Sequence, residues 1–121
     1  MNRKILFFDT YAFFEIIRGN PEYKRYEEAI ALTSIFNLAE LNYGLKKEFD
    51  KKTADKYTDK YTPFLVETNT ENIKEAMSLK LNNKKISIPD AVGYTLAKKF
   101  GVKFLTGDKE FENMPHVEFV K

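Results

Sequence analysis

Four carboxylates in this chain stand apart from its charge runs: Asp9, Glu40, Asp90 and Asp108 each lie beside apolar or small residues. Carboxylates brought together away from water repel one another and pay for desolvation, so such a cluster is tolerable chiefly beside a cation. There is no Cys, and His116 is the single imidazole. A metal site built from this set is therefore all-oxygen, which favours Mg²⁺ or Mn²⁺. Such a site can lower the pKa of a water and clamp a phosphate oxygen, as metal-dependent phosphodiester hydrolysis requires.

Each carboxylate also has a plain structural reading. Asp9 can cap the helix that follows it. Glu40 can close a capping box with Asn37. Asp90 suits a first helical turn, where the dipole favours an anion. Asp108, after Gly107, suits a turn or an N-cap.

The elements that must position these residues are legible in outline. Residues 3–8 (RKILFF) form an apolar run of strand length, with Asp9 at its C-terminal end, and 10–18 reads as a helix stopped by Gly19-Asn20. Residues 21–30 read as a charged helix and 31–33 as a short strand. A helix capped by Ser34 or Asn37 then carries Leu38, Leu41, Leu45 and Glu40. A lysine-rich helix spans 51–61, residues 64–66 suggest a strand, and Thr70 caps a helix over 71–81. Pro89 opens another helix, whose Ile88, Val92, Leu96 and Phe100 recur every four residues as one apolar face, with Gly101 as its stop. A strand over 103–106, a turn at Gly107, one helical turn over 108–112 and a strand over 117–120 complete the chain. Alternating strands and helices predict an α/β fold with a mainly parallel sheet, in one domain over 1–121. Ligands of such sheets gather at strand C-termini, where Asp9 and Asp108 fall.

Composition narrows the rest. The 121 residues are 43% hydrophobic and 31% charged, with net charge +2, which suits an ordinary globule and says little about nucleic acid. Without Cys, a disulfide framework is impossible. No apolar run reaches the roughly 20 residues needed to span a bilayer. The opening Met1-Asn2-Arg3-Lys4-Ile5 enters a strand at once, with no signal-peptide pattern, so a cytoplasmic, non-membrane protein is expected.

Four motifs in order carry a resemblance: Phe7-Phe8-Asp9-Thr10, Asn37-Leu38-Ala39-Glu40-Leu41 followed by Tyr43-Gly44, Ile88-Pro89-Asp90-Ala91, and Phe104-Leu105-Thr106-Gly107-Asp108-Lys109-Glu110-Phe111. With this spacing the chain resembles the PIN-domain ribonucleases, and among them the VapC-type toxins of toxin–antitoxin pairs. The resemblance implies a three-layer, PIN-like (Rossmann-like) domain. It also implies a Mg²⁺- or Mn²⁺-dependent endoribonuclease, whose Asp9, Glu40, Asp90 and Asp108 form the catalytic, metal-binding quartet. Thr106 resembles the family's small hydroxyl residue near the last Asp. Tyr11 departs from the pattern, because many members carry Asn or Ser two positions after the first Asp. The partners implied are RNA, a small antitoxin protein and a second copy of the chain.

Further candidates are Glu112, as an extra acidic ligand or a solvated residue, and Lys46 and Lys47, as RNA contacts. These lysines open a basic segment that includes Tyr57 and Tyr61, readable as a base-stacking surface or as a solvated helical face. Competing functions are a catalytically silent PIN-like binding domain and a haloacid-dehalogenase-type phosphatase. The latter wants Asp-x-Asp, where this chain has Tyr11. A response-regulator receiver would want an acidic pair ahead of Asp9, where Phe7-Phe8 stands.

Overall fold

A computed structural model describes residues 3–121. Met1 and Asn2, which the sequence reads as leading straight into the first strand, lie outside the described residues. Four strands form one sheet: β1 (Ile5–Phe8), β2 (Ile30–Leu32), β3 (Lys103–Thr106) and β4 (Val117–Phe119). Their order is β2-β1-β3-β4, and every pairing is parallel. The helices are α1 (Thr10–Ile17), α2 (Ile35–Glu48), α3 (Lys51–Tyr61), α4 (Thr70–Asn82) and α5 (Ile88–Lys99). This is the α/β architecture with a parallel sheet that the sequence predicts.

The central strands β1 and β3 bury both faces, as parallel strands under crossover helices must. Leu6, Phe8 and Leu105 face one core with Phe13, Leu38, Leu41, Leu45 and Tyr61. Phe7 and Phe104 face the other, with Ala76, Ile86, Val92 and Leu96. The period of two along β1 and β3 thus divides their side chains between two helical layers. No helix among the described residues is long and apolar enough to cross a membrane.

Several elements differ from their sequence reading. Residues Pro21–Glu28 form a 3₁₀ helix, not an α-helix, with Tyr23 and Tyr26 as its buried residues. A spacing of three stacks two side chains on one 3₁₀ face. The strand expected over 64–66 is instead a 3₁₀ turn, Thr62–Phe64, followed by a single parallel bridge between Thr33 and Leu65. Pro63, with no N–H to give a ladder, sits inside that turn. Asn69, not Thr70, caps α4, in a reciprocal box with Asn72. Residues 108–112 tighten to a 3₁₀ segment, Lys109–Phe111, anchored by buried Phe111.

The apolar face assigned to α5 is also revised. Ile88 and Phe100, its two ends, are exposed, whereas every residue from Asp90 to Ala97 is buried. The helix is enclosed by the sheet, α2 and α4, so its middle is covered all round. Gly101 does terminate it, with φ of +68°. Gly107 is needed for a different reason than turning: a Cβ there would overlap the Tyr11 ring and the Val120 carbonyl.

Candidate metal centre

β2 lies on one side of β1 and β3 on the other, so the chain reverses direction across the sheet between β1 and β3. The crevice outside the strand ends at such a switch point is where open parallel sheets hold ligands. Asp9 leaves β1 there, with its N–H bonded to the Leu105 carbonyl of β3 at 3.0 Å. Thr106 ends β3, and Asp108 follows two residues later.

Asp9 occupies the N-cap position of α1, yet its side chain makes no capping bond. The capping reading therefore fails for this residue. Its Oδ2 instead accepts a 2.6 Å hydrogen bond from Thr106 Oγ1, which in turn accepts the Asp108 N–H at 3.0 Å. The Thr106 hydroxyl has one hydrogen, so accepting from Asp108 commits that hydrogen to Asp9. The other Asp9 oxygen, Oδ1, is buried and meets no N–H or hydroxyl donor among the described residues.

Asp90 arrives on the first turn of α5. The Ser87 hydroxyl accepts its N–H at 3.1 Å, and its own Oδ2 reaches the Ser87 N–H at 3.5 Å, a long capping-box contact. The plain reading of Asp90 is thus correct as far as it goes, and one carboxylate oxygen remains outside the box. Glu40 comes from α2. The box proposed between Asn37 and Glu40 does not form, because Ser34 caps α2 and Asn37 is the residue whose N–H it receives, at 3.2 Å. Asp9, Glu40 and Asp90 each present a carboxylate oxygen within 4.8 Å of the other two.

Asp108 stays outside that tight group. Its Oδ1 accepts the Glu110 N–H at 3.0 Å, as the turn reading expects. Its charge nevertheless reaches the cluster: burial is the main cause that raises the Glu40 and Asp90 carboxyls above their usual range, and repulsion from Asp108 adds to both. Asp9 is pushed well above the ordinary carboxyl value, first by burial, then by the Asp90 charge and a carboxyl–carboxyl hydrogen bond with Asp90, with the Thr106 bond opposing. Without a cation, these groups resist carrying their full charge.

The remaining candidates are scattered. Glu112 is exposed. Lys46 pairs with Asp55 at 3.2 Å, and the Lys47 ammonium lies 4.8 Å from the Tyr43 ring centre. Tyr61 is buried and its ring serves packing, not base stacking, while Tyr57 is half-buried against the same core. His116, exposed at φ of 61°, gives its carbonyl to the Phe104 N–H.

The sequence reading missed the residue that ties the site together. Asn37 is fully buried; its amide donates to Thr10 Oγ1 at 3.3 Å and to the Pro89 carbonyl at 3.4 Å, while its Oδ1 accepts from Ser34 Oγ at 2.6 Å. It thereby fastens α1, α2 and the start of α5, the elements that carry Asp9, Glu40 and Asp90. Gly93 makes room for it, since a Cβ there would come within 3.2 Å of Asn37 Oδ1 and 2.9 Å of both Phe7 and Phe104. The available signal was an amide on the apolar face of a helix, one turn before a carboxylate.

A sheet with this order and a carboxylate cluster at its switch point define a small α/β protein with a candidate cation site. The PIN domain family model matches residues 6–117, and the chain belongs to that family. Solved structures agree in fold. A toxin–antitoxin complex from Klebsiella pneumoniae aligns with TM-score 0.73 at 20% identity, over 93% of this chain and 95% of that one. VapBC2 of Rickettsia felis, solved bound to a promoter DNA fragment, gives 0.69 at 17% identity over 96% and 97%. VapBC-1 of nontypeable Haemophilus influenzae gives 0.69 at 16% identity over 97% of each chain. Comparison with curated protein sequences yields no significant match.

Proposed function

We propose that residues 1–121 form a single PIN-like domain that acts as a Mg²⁺- or Mn²⁺-dependent endoribonuclease, the toxin of a type II toxin–antitoxin pair. The observation that carries this reading is Asp9 itself: a buried carboxylate whose Oδ1 meets no N–H or hydroxyl donor among the described residues, and which presents an oxygen within 4.8 Å of two further carboxylates at the sheet's switch point. An unpaired buried acceptor is costly, and a divalent cation relieves both its desolvation and the mutual repulsion. The donor set is all oxygen, which fits a hard cation. Asp9, Glu40 and Asp90 would hold the ion, and Asp108 would add charge from the rim. A bound ion of this kind supplies Lewis-acid stabilisation of a phosphoryl oxygen and lowers the pKa of an attacking water.

The chain's own groups do the rest. Thr106 fixes the rotation of the Asp9 carboxylate through its committed hydrogen. Ser87 holds Asp90 by its N–H, and Asn37 sets the distance between α2 and α5. Glu40, the most accessible of the three carboxylates, is placed to accept a proton from an incoming water. Membership of the PIN family and likeness in fold to chains of toxin–antitoxin structures support the toxin role. They also support an antitoxin partner; a homodimer and a cytoplasmic setting belong to the same proposal.

The test pairs activity with binding. RNA cleavage should require Mg²⁺ or Mn²⁺ and stop in EDTA, and the same ions should raise the melting temperature of wild type but not of Asp9→Asn. Undiminished cleavage in excess EDTA would refute the metal mechanism.

A further inference from the structure

Outside the carboxylate cluster, the surface of α2 carries an aromatic side chain that no core contact explains. Tyr43 is 65% exposed, one helical turn beyond Glu40 on the same side of the helix. Residues three apart on a helix have Cβ atoms about 5–6 Å from one another. Lys47, one turn further on, holds its ammonium 4.8 Å from the Tyr43 ring centre and forms no ion pair among the described residues. Its neighbour Lys46 is by contrast occupied by Asp55. From Glu40 outward, α2 thus presents a carboxylate, an open aromatic ring and a free cation, over about 10 Å of helix.

We propose that Tyr43 and Lys47 form a platform for single-stranded RNA, with a base beside the scissile phosphate stacked on the ring and Lys47 against a flanking phosphate. The proposal rests on the nuclease reading only for the position of the scissile phosphate. A cluster of carboxylates repels a phosphodiester, so the attraction that draws the strand in must come from the rim. Lys47 is the cation on the Glu40 side of α2 that no carboxylate neutralises. The ammonium lies over a ring that is otherwise largely open to solvent, and every base has a face that stacks. Duplex RNA turns its bases inward and offers none to a surface ring, so the platform selects unpaired RNA.

The experiment measures binding separately from cleavage. Fluorescence anisotropy in EDTA follows a short labelled RNA of mixed sequence, single-stranded or annealed to its complement, with wild type, Tyr43→Ala, Tyr43→Phe, Lys47→Gln and, as a control at the far end of α5, Phe100→Ala. Tyr43→Ala should weaken single-strand binding roughly 5- to 100-fold, in the range of one lost stack. Tyr43→Phe and Phe100→Ala should retain it. Lys47→Gln should lower the salt slope by about 1. The Tyr43 and Lys47 variants should keep the wild-type melting temperature, since both side chains lie on the surface.

Equal affinity of Tyr43→Ala and wild type overturns the platform, as does the absence of single-strand binding by wild type. Equal binding of duplex overturns it too. If Tyr43→Ala changes the oligomeric state in sedimentation while RNA affinity stays constant, the ring belongs to a protein interface and the proposal is wrong. Cleavage assays in Mg²⁺ and Mn²⁺ separate the two readings. Binding through Tyr43 without cleavage in either ion sinks the nuclease assignment alone. Cleavage unaffected by Tyr43→Ala, with unchanged affinity, sinks the platform alone.

Discussion

Thr106→Val removes one hydroxyl and leaves the side-chain volume nearly unchanged, which makes it a clean probe of how Asp9 is held. Thr106 is fully buried at the end of β3. Its hydroxyl makes two bonds, giving its hydrogen to Asp9 Oδ2 at 2.6 Å and accepting the Asp108 N–H at 3.0 Å. The first is a buried bond to a carboxyl and should contribute about 1.5–3 kcal/mol when that carboxyl is ionised. The second is partly accessible, so water replaces some of it, and about 0.5–1 kcal/mol is a fair share. Oδ1 already meets no N–H or hydroxyl donor, so the variant leaves both Asp9 oxygens without one.

The sum is a loss of about 2–4 kcal/mol, or very roughly 8–16 °C in melting temperature for a chain of this size. Thr106→Ser keeps both bonds and loses a methyl, costing about 1 kcal/mol. Thermal denaturation in EDTA should therefore rank wild type above Ser and Ser well above Val. Because Thr106 sets the orientation of Asp9, the Val variant should also bind Mn²⁺ about 10- to 100-fold more weakly by calorimetry. A Val variant as stable as wild type, with unchanged Mn²⁺ affinity, would show that the hydroxyl does not orient Asp9.

Other expectations follow from the same geometry. The Asp9 carboxyl titrates above its ordinary value of 3.8, so between that value and its folded pKa the native state holds the extra proton; stability in EDTA should fall as pH rises through this window. Asp9→Asn should flatten that slope and melt higher than wild type in EDTA near neutral pH, while cleavage is lost; a lower melting temperature would contradict the repulsion argument. Asp108→Asn keeps an oxygen for the Glu110 N–H and removes a charge that repels Glu40 and Asp90, so its melting temperature in EDTA should match or slightly exceed wild type while cleavage falls. Full activity of that variant would leave Asp108 a turn residue only. Gly107→Ala should destabilise by about 1–3 kcal/mol, because its methyl meets the Tyr11 ring and the Val120 carbonyl, and denaturant melts should show it.

Local chemistry made part of this molecule readable from its sequence. The apolar run of β1 and the Phe104-Leu105 pair of β3 suit strands buried on both faces, and Asp9 and Asp108 then fall at or just past strand ends by counting alone. Pro89 and Gly101 bracket α5 because each suits one end of a helix for its own backbone reason. The lysine-rich α3 runs over Lys51–Tyr61 as its pattern predicts. What the sequence could not decide depended on neighbours distant in the chain. Whether Asp9 caps α1 or faces other carboxylates is settled by Thr106, which lies 97 residues away. Asn37 had a plausible local partner in Glu40, and only the approach of Thr10 and Pro89 made it a buried fastener of three helices. Ile88 and Phe100 fit the period of α5, yet burial followed the layers enclosing the helix, so its middle is covered all round and its ends are open. A strand over 64–66 failed because Pro63 tightens the chain before a ladder can form, leaving one bridge to Thr33. Hydrophobic period and turn chemistry act over a few residues and are written in the sequence. The choice among hydrogen-bond partners is made by packing, because a buried polar group bonds to whichever partner the fold brings within reach.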